Sequence, residues 1–327
     1  MSRRGESVID KLNFEGRVAL VTGGGGSIGR AHALLLASRG ARIVLNDYHT
    51  SVAGESGSAG PNPGEAVVKE LRALGADAVL NADSVADAAG VARMVQAAID
   101  HFGRIDIVVN NAGIAVCNNV HEEPGTLYER NMKILLEGPM LVVRSAWPHM
   151  LAQKYGRILN TSSASVFGFN QPDGNWWGSY VLAKSAVMAY TRQLGGYGEK
   201  LGIKANAILP LAYSRMNWDL LRGTPEGDFL EKYATADSVA AAAAYLLHEQ
   251  CPVSGASFSV SGGRIARVIY AEPLGYQKQN LTPEDVRDNW ARAMGSVDAA
   301  HSLSDFYEIP NLLEESMLML KAGVGQS

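Results

Sequence analysis

Tyr180 and Lys184 stand four residues apart in a segment, Ser179 to Tyr190, whose pattern predicts a helix. That spacing puts both side chains on one helix face. An ammonium beside a phenol favours its ionised form, lowering a pKa that begins at about 10. A tyrosinate held this way can take the proton of an alcohol while hydride leaves for a nicotinamide ring. Among the twelve tyrosines of the chain, only Tyr180 has a lysine four residues later. Its place adds weight, because the preceding strand ends in Thr161-Ser162-Ser163, where a hydroxyl can hold a substrate oxygen.

A second group of residues reads as a dinucleotide cradle. Gly23 to Gly26 follow the apolar run Val18-Ala19-Leu20-Val21, and a helical segment opens at Ile28. A helix amino terminus offers unpaired N–H groups and partial positive charge, which suit a pyrophosphate. Glycines let the backbone come close to it. Asp47 ends the next strand, Arg42-Ile43-Val44-Leu45-Asn46-Asp47. It lies about 20 residues beyond the turn, where a carboxylate can accept from both ribose hydroxyls. The same charge repels a 2′-phosphate, and residues 24–26 bring no Lys or Arg to offset it. The pattern favours NAD over NADP.

The elements that must position these groups alternate along the chain. Strands are predicted at Val18–Val21, Arg42–Asp47, Ala78–Leu80, Ile105–Val109, Arg157–Leu159, Ala205–Leu209 and Ser257–Val260. Helices are predicted at Ile28–Ala37, Glu65–Leu74, Ala86–Phe102, about Thr126 to Gln153, from Ser179, and at Ser238–Leu247. Parallel strands need crossover helices, so this order predicts an α/β fold with a Rossmann-type, doubly wound parallel sheet. Ligand groups then gather at the carboxyl ends of the strands. Residues 14–268 form the expected dehydrogenase domain, including the substrate cleft. Residues 269–327 form a C-terminal helical extension, with one helix from Thr282 to Met294 and another from Pro310 to Lys321. That second helix either packs on the body or a partner subunit, or acts as a substrate lid. Thr50–Gly64 is rich in Ser, Gly and Pro and is expected as a surface loop.

Composition narrows the functional classes. The 327 residues carry a net charge of −4, with 47% hydrophobic and 19% charged residues, as in a packed globular protein. Nothing suggests nucleic-acid binding, which needs clustered Lys and Arg. Two cysteines, Cys117 and Cys251, give neither a disulfide framework nor a metal cluster. The seven histidines show no metal spacing. No apolar stretch is long enough to cross a membrane, and the charged start at Met1–Lys11 is unlike a signal peptide. A cytoplasmic setting is expected.

Several short motifs, in order, resemble the short-chain dehydrogenase/reductase family. They are Thr22-Gly23 with Ile28-Gly29, Asn110-Asn111-Ala112-Gly113, the Ser163 cluster, and Tyr180-x-x-x-Lys184. The resemblance covers residues 14–268 and implies interconversion of an alcohol and a ketone with a nicotinamide dinucleotide. It implies catalytic roles for Ser163, Tyr180 and Lys184. The implied cofactor set is Gly23, Ser27, Ile28, Gly29, Asp47, Asp83, Ser84, Asn111, Gly113, Tyr180, Lys184 and Ser214. Further runs, among them Val44-Leu45-Asn46-Asp47, Asp83-Ser84-Val85 and Lys154-Tyr155-Gly156-Arg157-Ile158, are similar to the dehydrogenase domains of peroxisomal multifunctional type-two enzymes and their bacterial single-domain relatives. That similarity implies a 3-hydroxyacyl-CoA or hydroxysteroid substrate. Family likeness also implies a homo-dimer or homo-tetramer packed through long helices.

The chain departs from the family pattern at three places. Ser27 replaces the second glycine of the cofactor turn, and its hydroxyl can still face a phosphate. Leu135 fills a slot, three residues before Gly138, where the family often has an asparagine that orients a proton-relay water. Asn131 lies one helical turn away and needs a register shift to replace it. Tyr180 stands 17 positions after Ser163, four more than is usual in the family. The added length includes Trp176 and Trp177, which either pack a longer loop or stack on a flat substrate. Two alternatives to the leading reading therefore stand: an aryl alcohol or ketone dehydrogenase, and a catalytically weak NAD-binding subunit of a hetero-oligomer. Arg264 and Arg267 either attract an anionic CoA group or form a solvated basic patch.

Overall fold

The computed structural model describes residues 11–51, 60–116, 118, 121–168, 178–213, 222–273, 275–295 and 301–302. The chain divides into two compact units between Ala266 and Arg267. The larger is built on a sheet of eight short strands bounded by turn residues or helices, apolar in the centre of the sheet and polar at the β7–β8 edge. They are β1 (Val18–Thr22), β2 (Arg42–Asn46), β3 (Ala78–Asn81), β4 (Ile107–Asn110), β5 (Gly156–Thr161), β6 (Ile203–Pro210), β7 (Ser257–Ser261) and β8 (Arg264–Val268). Their order across the sheet is β3-β2-β1-β4-β5-β6-β7-β8. β1 to β7 pair in parallel, with Val21 opposite Leu45 and Val109, and Asn110 opposite Asn160. The strand order reverses beside β1, and a crevice at such a switch point is where parallel sheets bind ligands.

Both faces of the sheet are covered, which is why its central strands are apolar on both sides. Ala19 and Val21 of β1 join a core with α1 (Ser27–Ser38), α2 (Pro63–Ala73) and the alanine-rich Ala236–Leu247 helix. Val18 and Leu20 point to the other layer, with α3 (Ala88–Phe102) and the Gly138–Gln153 helix. Met94 and Met150 are fully buried there, and each such side chain contributes about 2 kcal/mol. Asp87 caps α3 by accepting from the N–H groups of Ala89 and Gly90, and Gly103 ends it in the left-handed region.

The expected helix from Thr126 to Gln153 is a continuous rod with an irregular middle. It comprises α4 (Gly125–Met132), a π-turn over Lys133–Glu137, and α5 (Gly138–Gln153). Pro139 has no N–H to give the Leu135 carbonyl four residues back, and the turn widens there. The helix beginning near Ser179 is α6 (Gly178–Gly198). In the larger unit one α-helix and one strand were not anticipated. One is the helix Pro225–Tyr233, here α7, with Ala236–Leu247 following as α8. The other is β8, an exposed edge strand with Arg264 and Arg267 outward. The two-residue link Gly262-Gly263 lets β8 fold back beside β7.

In the smaller unit, β9 (Ala271–Glu272) pairs antiparallel with β10 (His301–Ser302). The helix expected from Thr282 to Met294 is two helices, α9 (Pro283–Asp288) and α10 (Trp290–Met294). Thr282 and Asp285 form a capping box that starts α9, and Asn289 breaks the run. The helix expected at Pro310–Lys321 lies outside the described residues. Among the described residues no helix is long and apolar enough to cross a membrane.

Candidate active site

The glycine turn leaves β1 and enters α1 in a tight space. Gly23 has φ +64, and a Cβ there would lie 2.7 Å from Ala112 Cα, so both conformation and space demand glycine. The turn is bolted to the end of β4. Thr22 Oγ1 accepts from the N–H groups of Asn111 and Ala112, each at 3.1 Å. Asn111 Nδ2 donates to the carbonyls of Thr22 at 3.1 Å and Gly23 at 3.2 Å. The Asn111 amide thus holds the cradle's shape. At the start of α1, Gly26 supplies no side-chain cap and the first turn has no acidic residue. The positive pole around Ser27, Ile28 and Gly29 is therefore uncompensated, the setting an anionic pyrophosphate needs.

Asp47 is nearly buried, at 9% exposed. Its carboxylate accepts from Gly25 N–H at 2.7 Å and from His49 N–H at 3.0 Å. One acidic group thus fixes the glycine turn while keeping further lone pairs for ribose hydroxyls. Asp83 follows β3, its carboxylate paired with Arg93 and accepting from Asn81 Nδ2 at 2.7 Å. The Arg93 hydrogen bond holds the Asp83 carboxyl below its ordinary pKa. Ser84 Oγ accepts from Ala86 N–H at 3.2 Å, shaping the turn into α3. These uncapped N–H groups, the Gly23 approach and the Asp47 carboxylate fit a nicotinamide dinucleotide. Ser214 lies outside the described residues, as do Cys117, Trp176 and Trp177.

Tyr180 and Lys184 sit in the first turns of α6. Tyr180 is 8% exposed and shares an apolar cluster with Ile114, Leu135 and Ala183. Lys184 Nζ lies 5.8 Å from the centre of the Tyr180 ring. It donates to the Thr161 carbonyl at 2.7 Å, and burial pulls its pKa down to about 8. Ser162 Oγ donates to the Lys184 carbonyl at 2.8 Å. These two bonds fix the end of β5 against α6. Ser163 caps a short 3₁₀ turn, Ala164–Phe167, and its Oγ accepts from Ser165 Oγ at 2.9 Å. Its own proton remains available to a substrate oxygen. Gly113 borders the same place, since a Cβ on it would meet Leu135 at 3.3 Å and Lys184 Nζ at 3.9 Å.

The residues that depart from the family pattern have definite surroundings. Leu135 is 1% exposed and packs in the Tyr180 cluster. Asn131 does not move into that slot: its Nδ2 donates to Ser179 Oγ at 2.8 Å and to the Val116 carbonyl at 3.2 Å. Ser165 and Ser162 were not singled out from the sequence. A run of hydroxyls from Thr161 to Ser165 announces such roles without telling which side chain turns inward. Arg264 Nη1 donates to Ser259 Oγ at 3.1 Å on the exposed sheet edge. Among the described residues, no group of His, Cys, Asp and Glu could hold a metal ion.

Residues 17–219 match the short chain dehydrogenase family. The chain is 40% identical over 285 residues to peroxisomal multifunctional enzyme type 2 of Mus musculus, covering 86% of this chain and 37% of that one. It is 37% identical over 278 residues to a short-chain type dehydrogenase/reductase of Mycobacterium tuberculosis, covering 84% and 93% of the two. It superposes on full-length peroxisomal multifunctional enzyme type 2 from Drosophila melanogaster with a TM-score of 0.73 at 26% identity, covering 95% of this chain and half (50%) of that one. The chain belongs to the short-chain dehydrogenase/reductase family and is an oxidoreductase.

Proposed function

We propose that the protein is an NAD-dependent secondary-alcohol dehydrogenase whose substrate is a 3-hydroxyacyl-CoA thioester, with a hydroxysteroid as the next class. One observation carries the reading: Tyr180 and buried Lys184 lie together on α6, and Lys184 is tied to the end of β5 that leads into Ser163. When bound, the nicotinamide supplies a hydride acceptor. Ser163 donates to the substrate oxygen and orients it. Tyr180 takes the alcohol proton on its phenolic oxygen. Lys184 lends positive charge that favours the tyrosinate. Asp47 selects NAD by accepting from ribose hydroxyls and repelling a 2′-phosphate.

The pH range follows from these roles. With a pKa of about 8, Lys184 is mostly charged at neutral pH. A second reading, a dinucleotide-binding subunit with slow turnover, draws on Leu135, whose apolar side chain orients no relay water. Purified protein incubated with NAD and a panel of 3-hydroxyacyl-CoA, hydroxysteroid and aryl alcohols, read by nicotinamide absorbance, separates the two. Turnover that disappears in Tyr180→Phe supports the first. Tight NAD binding with no turnover on any alcohol supports the second.

A further inference from the structure

Ser179, immediately before Tyr180, is fully buried and is gripped from two sides. Glu123 accepts from its backbone N–H at 3.0 and 3.2 Å through its two carboxylate oxygens, and from its hydroxyl at 2.7 Å. Asn131 Nδ2 donates to the same hydroxyl at 2.8 Å. Glu123 directly precedes Pro124, the residue that opens α4, and Asn131 lies near the far end of that helix. Two groups from opposite ends of α4 therefore converge on the first turn of α6. The carboxylate also stands at the positive pole of α6, where a negative group is favoured. Gly178 closes in on it, since a Cβ there would come within 2.9 Å of Glu123 Oε1.

We propose that Glu123 is a positioning residue for Tyr180, acting through Ser179 to fix where the first turn of α6 begins. The proposal rests on the reading of Tyr180 as the base. One turn later, Lys184 is tied to β5 through Thr161 and Ser162. Glu123 and Asn131 tie the other side, so the phenol is bracketed along the helix. Without the carboxylate, the buried Ser179 N–H and hydroxyl lose their acceptor, and this turn relaxes. A misplacement of about 1 Å lowers turnover by up to about a hundredfold.

The test uses the full chain with Glu123→Ala, Glu123→Gln, Ser179→Ala and, in parallel, Tyr180→Phe. Glu123→Ala is expected to lower kcat about ten- to a hundredfold while the dinucleotide Kd holds and the thermal midpoint falls by only a few degrees, the scale of losing one buried acceptor. Glu123→Gln keeps one acceptor oxygen and recovers part of kcat. Glu123→Ala and Ser179→Ala together cost less than the sum of the two, because they break one linkage. Amide hydrogen exchange supplies a readout that needs no substrate: protection at Ser179 and Tyr180 falls in Glu123→Ala, with α3 unchanged. Unchanged kcat and protection in Glu123→Ala overturn the proposal, as does a loss of kcat that tracks a general loss of folding and dinucleotide binding. An active Tyr180→Phe instead overturns the base reading, whatever Glu123→Ala does to protection.

Discussion

Lys184 Nζ donates to the carbonyl oxygen of Thr161 at 2.7 Å, joining the helix that carries Tyr180 to the end of β5. This lysine is buried, and burial lowers its pKa from 10.5 to about 8. Unfolding restores the ordinary value, so between those two pH values the unfolded chain binds more protons than the folded one. Stability therefore rises with pH across that window. Below it, the cost of burying the charge is present in full, on the order of 3 kcal/mol. Lys184→Met removes this cost and gives up a hydrogen bond worth about 1 kcal/mol. The expected result is a gain of about 2 kcal/mol in urea unfolding at neutral pH, with kcat reduced at least about a hundredfold. A destabilised Lys184→Met would mean that the charge is better solvated than its burial indicates.

Ser163 and Ser165 make a directional pair. Because Ser165 donates to Ser163 at 2.9 Å, the Ser163 proton is left for the substrate oxygen. Ser163→Ala is expected to lower kcat about a hundredfold, the scale of losing one aligned donor. Ser165→Ala removes only the orienting contact and is expected to cost less than about tenfold. Steady-state kinetics on both variants checks the order; equal losses would place Ser165 itself against the substrate.

Much of this arrangement was legible because it is local. The run Val18-Ala19-Leu20-Val21 followed by glycines is strand, turn and helix in one stretch of chain. The Tyr180–Lys184 spacing needs only the pitch of a helix. Asp47 and the glycine turn are likewise separated by a single crossover. What stayed hidden depends on partners remote in sequence or on small geometric choices. Glu123 meets Ser179 from 56 positions away, and no periodicity reports such a pairing. The π-turn at Lys133–Glu137 had a visible cause in Pro139, but helical pattern alone reads through it. Asn289 divides α9 from α10 although the capping signal at Thr282 was plain. In the same way, the bonds from the Asn111 amide to the carbonyls of Thr22 and Gly23 join partners 89 and 88 positions apart.

Asp47 sets a prediction about cofactor choice. Its carboxylate accepts from Gly25 and His49 N–H groups, so removing the side chain also loosens the turn. Asp47→Asn keeps an acceptor for Gly25 and deletes the charge. The ratio of kcat/KM for NADP to that for NAD is expected to rise at least about tenfold, or about 1.4 kcal/mol. A ratio that stays at the wild-type value would show that the charge does not face the adenosine ribose.

His32 lies on α1, 1% exposed, and its Nε2 has no hydrogen-bond partner among the described residues. Burial lowers its pKa from 6.5 to about 4. The folded protein keeps the imidazole neutral while the unfolded chain takes up a proton, so acid favours unfolding. The stability held by this group is whole above pH 6.5 and declines as pH falls toward about 4, by on the order of 3 kcal/mol across the window. His32→Leu replaces the ring with an apolar group that cannot titrate. Urea unfolding at about pH 7.5 and about pH 4.5 is expected to show a drop in the wild type that exceeds the drop in His32→Leu by about 2 kcal/mol. The carboxylates of the fold, Asp83 among them, lose stability in both proteins and cancel from that difference. Equal drops would mean that His32 reaches a proton acceptor or water in the folded state, and its neutral burial would then be wrong.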